Sequence, residues 1–202
     1  MQAPTANRET SSLQVGASTT STIKLSELTG DYVIDAARTR IGFVARQGIV
    51  IKVRGQFDEF AGSAHLDGDH PSKSSAQLTI QTRSIQTRND LRDKHLRKHF
   101  LDVSNHPVIR FASIRVQQVD ETNFKIIGEL NIRGVTRPVT VDLELIGAEN
   151  DPSGKLRVDF GGNATINRND WGVSWNAVVE GGGVFVSERV ALDLYVSAIR
   201  ES

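Results

Sequence analysis

The feature that most constrains this chain is alternation. Apolar and polar side chains repeatedly change places with a period of two, the signature of strands with one face buried and one face wet. Around residues 39–47, Ile41, Phe43 and Ala45 alternate with Arg40, Gly42, Val44 and Arg46. Residues 49–58 set Ile49, Ile51, Val53 and Phe57 against Val50, Lys52, Arg54, Gln56 and Asp58. The same rhythm carries Ala76, Leu78 and Ile80, then Phe124, Ile126, Leu130 and Ile132 with Ile127 as the exception, then Val139, Val141, Leu143 and Leu145. It is cleanest in Leu156, Val158, Phe160, Ala164 and Ile166, and in Val190, Leu192, Leu194, Val196 and Ala198. With residues 108–116 this makes seven to nine strands joined mostly by short turns, an antiparallel all-β pattern. Such a sheet leaves aggregation-prone edges unless it closes into a barrel or folds into a sandwich. About eight strands is also the size at which a barrel interior either fills with side chains or holds one small ligand.

Composition narrows the function. The chain has 202 residues, enough for one domain with a substantial core. Lys plus Arg and Asp plus Glu number 24 each, so the formal charge is zero, without the excess that general nucleic-acid binding needs. Cysteine is absent, which removes disulfides, thiolate chemistry and Cys-ligated metals. Residues 1–22 are rich in Ser, Thr, Ala and Gln, so residues 1–29 are expected as a disordered tail, with a short turn at residues 23–28, ahead of one domain over residues 30–200. The tail lacks the charged and apolar stretches of a secretory signal, and no run reaches the ~18 apolar residues of a membrane span, so a cytoplasmic protein is expected.

One segment breaks the strand rhythm. Between residues 87 and 100, Leu91, His95, Leu96, His99 and Phe100 fall on a helical stripe. Residues 83–99 hold six Lys or Arg against Asp90 and Asp93, so a short basic helix over a barrel end or side is expected, with either a solvated face or an attraction for an anionic head group or membrane surface. His95 and His99 have metal-ligand spacing, but no Glu follows His95 and no acid completes a site, so no metal is expected and the two should pack beside Leu96 and Phe100. His65 and His70 read as part of a solvated loop with Asp67 and Asp69, and Gly181-Gly182-Gly183 as a bend. Gly172-Val173-Ser174-Trp175-Asn176 lacks the second glycine of a nucleophile elbow. Trp171 and Trp175 read equally well as ligand wall or as end plug. With no assembled nucleophile, base and oxyanion donors, a binding protein is favoured over an enzyme.

Eight strings then fall in a recognisable order: Asp31-Tyr-Val-Ile-Asp35, Ile41-Gly-Phe-Val-Ala-Arg46, Lys52-Val-Arg-Gly-Gln-Phe57, Ser84-Ile-Gln-Thr87, Arg92-Asp-Lys-His-Leu96, His106-Pro-Val-Ile-Arg-Phe111, Gly128-Glu-Leu-Asn-Ile-Arg-Gly-Val-Thr-Arg-Pro138 and Trp171-Gly-Val-Ser-Trp-Asn176. Together they resemble the YceI-like family over roughly residues 30–198. The resemblance implies an extended antiparallel eight-stranded lipocalin-like barrel with one short helix, holding a long amphiphile such as a polyisoprenoid or isoprenoid quinone and needing no other cofactor. The wall is then expected from Ile41, Phe43, Leu78, Ile80, Phe111, Ile126, Leu130, Val141, Leu143, Val158, Phe160, Leu192 and Leu194, with Leu96, Phe100, Trp171 and Trp175 at its ends. Arg46, Arg92 and His95 are the head-group candidates. The expected partners are an isoprenoid or fatty amphiphile and, transiently, a membrane surface, with the protein a monomer or homodimer. The alternative is an enzyme acting on a lipidic substrate through His95 and His99 at the barrel mouth. Two departures stand out: Gln47 takes the place of a histidine common after the family's first long strand, and Lys98-His99-Phe100-Leu101-Asp102 is one residue shorter than the usual pattern.

Overall fold

The computed structural model describes residues 24–48, 51–174 and 186–201. The first two strands, β1 (Gly30–Ile34) and β2 (Arg40–Gln47), are halves of one bent strand, because β3 (Ile51–Phe57) pairs with β2 while β4 (Phe60–Leu66) pairs with β1. The next strand bends likewise: β5 (Ser75–Gln81) pairs with β4 and β6 (Ile85–Gln86) with β3. A meander follows through β7 (Val108–Gln118), β8 (Asn123–Ile132), β9 (Val135–Asn150), β10 (Leu156–Asn167) and β11 (Arg189–Arg200). β11 then pairs with both β1 and β2, which closes the sheet into an eight-stranded antiparallel barrel with no long free edge.

Local chemistry explains the turns and irregularities. Arg133 (φ 51°) and Gly134 (φ 76°) make the two-residue β8–β9 connection, the left-handed pair whose twist matches the flanking strands. Ser113 and Arg115 face consecutive residues of β8, which leaves Ile114 as the extra residue of a bulge, and Ile146 is extra in the same way opposite Asp159 and Phe160. Both bulged isoleucines are exposed. In β7 the bulge reverses parity, so Phe111 and Val116 face the same interior.

The helix is shorter and differently phased than the sequence stripe suggests. Asn89 caps α1 (Asp90–His95) by accepting from the Arg92 amide, and buried Asp93 accepts from the Thr87 amide (2.9 Å) and hydroxyl (2.6 Å). The chain continues as one π-helical turn, Leu96–Phe100, closed by the Leu101 amide donating to the Leu96 carbonyl. The buried line therefore runs through Asp93, Leu96 and Phe100, and Leu91, expected on the packed face, is 77% exposed.

Two further expectations shift. Leu25–Leu28 forms a 3₁₀ turn with Leu28 buried and its carbonyl accepting from the Tyr32 hydroxyl, so packed structure begins ahead of the expected tail boundary at residue 29. His65 lies on β4, with Nδ1 2.8 Å from Asp31 Oδ1, rather than in a loop. The Gly181-Gly182-Gly183 bend lies outside the described residues.

A polar seam locks the bend between β1 and β2. Arg157 on β10 is buried beneath it and donates to Asp35 (2.7 Å) and to Ser197 Oγ (2.9 Å), while the Thr39 hydroxyl donates to the Ser197 carbonyl and accepts from its amide. The apolar interior divides into two clusters. One gathers around Leu130, Phe100 and Trp171 beneath the helical segment, and the other around Leu28, Tyr32, Phe124 and Val158 at the opposite end.

Candidate functional site: an apolar cavity through the barrel

A single cavity of about 360 Å³ joins these two clusters. Its wall begins at Leu25, Leu28 and Leu66 and ends at Leu96, Phe100, Trp171 and Val173. Between them, β2 contributes Ile41 and Phe43, β5 Leu78 and Ile80, β7 Phe111, β8 Ile126 and Leu130, β9 Val141 and Leu143, β10 Val158 and Phe160, and β11 Leu192 and Leu194. These are the inward positions of the alternating strands. All expected wall residues within the described part of the chain are brought to one surface; Trp175 lies outside the described residues.

Small residues keep the space open. Gly55 stands directly across from Phe43 in the β2–β3 register, and a Cβ there would collide with the Phe43 ring. Phe43 thus lies over bare backbone, 5.9 Å from the Phe57 ring centroid. Gly128 plays the same part for Phe111, whose ring a Cβ would meet at 2.5 Å. Ala45, Ala64 and Ala76 add inward positions with little side chain.

Polar residues border the cavity at both ends, besides Ser63 and Gln77 along β4 and β5. Asp67, Ser74 and Ser75 border it beside the Leu25–Leu28 turn, and a hydrogen bond from the His70 amide holds the Asp67 carboxyl below its ordinary range. At the helix end stands Arg168, which sequence reasoning missed because nothing in the string Asn167-Arg168-Asn169 separates it from a surface arginine. It is 6% exposed, its guanidinium lies 5.7 Å from the Phe100 centroid, and it donates to the carbonyls of Val173, Val186 and Ser187. Burial lowers its pKa, with Glu188 acting in the opposite sense. Trp171, 3% exposed, lines the cavity and donates its indole N–H to the Leu130 carbonyl at 2.9 Å.

The three head-group candidates are not on this wall. Arg46 is exposed on the outer face of β2. Arg92 turns back to donate to the Thr87 hydroxyl (2.6 Å) and carbonyl (2.9 Å), which fixes the start of α1. His95 is half-buried with its ring 4.8 Å from that of His99, and neither histidine lines the cavity. Among the described residues, no group of three His, Asp or Glu side chains is arranged to hold a metal ion.

The site is thus a continuous apolar cavity enclosed by a closed eight-stranded barrel, an architecture whose interior at this strand number either fills with side chains or leaves room for one small ligand. The chain belongs to the YceI-like family: the model of the YceI-like domain matches residues 32–198. Among its relatives, a UPF0312 protein of Pseudomonas aeruginosa is 38% identical over 148 residues, covering 73% of this chain and 74% of the relative. A UPF0312 protein of Pectobacterium carotovorum is 39% identical over 148 residues, 73% of each chain. Solved structures share the fold. BcnA of Burkholderia cenocepacia superposes with a TM-score of 0.71 at 19% identity, covering 81% of this chain and 98% of that one. A domain of Saccharophagus degradans described as polyisoprenoid binding gives a TM-score of 0.60 at 17% identity, covering 84% and 98%.

Proposed function

We propose that this protein stores or carries one long apolar amphiphile, a polyisoprenoid or isoprenoid quinone, inside the barrel. The observation that carries the reading is the cavity itself: about 360 Å³ of continuous apolar space joining the two core clusters. At about 24 cal/mol per Å³, leaving such a volume empty forgoes packing worth about 9 kcal/mol, comparable to the whole stability of an ordinary domain. A fold that keeps this space open, with glycines beneath two phenylalanines, is adapted to fill it with something else. An extended isoprenoid matches a predominantly apolar wall, and each Å² of apolar surface removed from water contributes about 25 cal/mol without needing a specific polar contact. The polyisoprenoid-binding description of the Saccharophagus degradans domain, which shares the fold, supports the same ligand class. The enzyme alternative draws no support from the cavity, because His95 and His99 stand outside its lining.

Titration of delipidated protein with a prenyl alcohol or quinone, read by tryptophan fluorescence, tests this. Trp171 on the wall should report saturable one-to-one binding. Indifference to every prenyl lipid, with normal folding, contradicts the proposal.

A further inference from the structure

The molecule is neutral as a whole, but its two ends are not. The strand registers place the Gln47 end of β2, the Ile51 end of β3, the helical segment and the chain around Arg168–Trp171 at one end. The Leu25–Leu28 turn and the β4–β5, β7–β8 and β9–β10 connections lie at the other. At the helix end Arg46, Lys52, Arg54, Arg88, Lys94 and Lys98 are all exposed, against exposed Asp90, Asp170 and Glu188. At the far end the sign reverses, with exposed Glu27, Asp69, Asp120, Glu121 and Glu201 against Lys24, Lys73 and Lys155.

The basic end gathers cations that have no carboxylate partner among the described residues. On the wall, Arg38, Arg40, Arg83 and Lys125 are paired with Glu149, Asp193, Glu59 and Asp142, while Arg110 and Arg115, exposed on β7, form no ion pair with a described residue. None of the six cations at the helix end forms an ion pair with a described residue. Arg46 and Lys52 even face each other directly across β2 and β3, a like-charge arrangement that disfavours the pair unless an anion is shared. Two large apolar side chains project among them: Leu91, 77% exposed and flanked by Arg88 and Lys94, and Ile51, 61% exposed beside Lys52. Val33, Ile114, Val119 and Ile146 are exposed elsewhere, and what marks this surface is the number of cations gathered with two projecting apolar side chains at one end of the barrel.

We propose that the helix end of the barrel docks on an anionic lipid bilayer, with the unpaired cations over the head groups and Leu91 and Ile51 reaching the head-group boundary. The charge reversal between the ends orients the molecule before contact, and the basic rim supplies attraction of the kind that draws polybasic segments to anionic leaflets. Docking brings the segment whose Leu96 and Phe100 close the cavity against the bilayer. The surface exists whatever the cavity holds, so vesicle binding by protein that never takes up a prenyl lipid would leave this proposal standing while removing the carrier function.

The test is sedimentation of the full chain with vesicles of phosphatidylcholine alone, and with about one third phosphatidylglycerol, at low and at physiological salt. Binding should need phosphatidylglycerol and weaken with salt. The Arg88→Gln/Lys94→Gln/Lys98→Gln variant should lose about a hundredfold in partitioning, the value of three charges near an anionic surface. The Lys94→Gln/Lys98→Gln pair, which avoids the positive-φ position of Arg88, should lose about thirtyfold if it keeps the wild-type melting curve. Leu91→Ser should weaken vesicle binding severalfold, and Lys24→Gln/Lys73→Gln at the opposite end should change nothing. Equal binding to both vesicle types, or wild-type binding by the well-folded charge variants, overturns the proposal. So does binding to an acidic protein or a DNA duplex as tight as to the vesicles and indifferent to Leu91→Ser.

Discussion

Arg168 and Asp35 show how single side chains hold the barrel around an interior that is not packed solid. Arg168 brings a guanidinium to the end of an apolar cavity and uses it to tie the carbonyls of Val173, Val186 and Ser187 to the 3₁₀ turn Arg168–Trp171. Replacing it with Met keeps much of the bulk over Phe100 but leaves those carbonyls without their donor. A loss of about 2–4 kcal/mol is expected, measured by chemical denaturation. Asp35 works through charge. The hydrogen bond from Arg157 holds its carboxyl below the ordinary value of 3.8, so its stabilising contribution is complete above that value and is lost as pH falls through the lower, folded-state pKa. Asp35→Asn leaves the Arg157 guanidinium buried and unbalanced. It should cost about 2–3 kcal/mol at neutral pH and should flatten the acid limb of a melting-temperature profile that declines in the wild type below about pH 4.

At the scale of elements, the strands hold the cavity open by alternating bulk with its absence. Gly55 on β3 lets the Phe43 ring of β2 lie against backbone. Gly55→Ala should push that ring inward, costing about 1–3 kcal/mol and weakening prenyl-lipid binding in the same variant, as calorimetry on loaded and delipidated protein would show. Alternation alone made β2, β5, β8, β10 and β11 legible, because each keeps one parity throughout its inward face. It was less informative where parity breaks: the bulges at Ile114 and Ile146 add a residue that no propensity marks. Ile51 follows the inward parity but projects past the barrel end, where there is no interior to face. The helical stripe misplaced Leu91 because a single i→i+5 turn at Leu96–Phe100 changes which side chains share a face, and because Asp93 is buried by a capping role that apolar periodicity does not weigh. β4, Phe60–Leu66, is hard to read from the sequence because its Gly, Ser and Ala positions dilute the alternation.

For the whole molecule, closure and cavity are one property. The eight-stranded ring satisfies the backbone without a packed centre, which lets apolar side chains line a space rather than fill it. Filling the space from within should therefore exchange ligand for stability. Ala76→Leu, on the wall of β5, is expected to raise the stability of the delipidated protein by about 1 kcal/mol and to lower prenyl-lipid capacity, a pairing that thermal melts with and without lipid would reveal. Wild-type protein should instead gain about 2.7 kcal/mol from a ligand present at a hundred times its Kd. The wall positions could be read from the sequence because each strand hides one face. The polar groups at the ends could not, since Arg168 and Asp67 reach the cavity only through turns whose geometry the alternation does not encode. The most direct test of the central claim is native mass spectrometry of protein purified gently from cells, followed by organic extraction of the same sample. One lipid of isoprenoid mass per chain, released by the solvent and absent from protein carrying a cavity-filling substitution, is the predicted result; a ligand-free mass from every preparation that retains the folded barrel would contradict it.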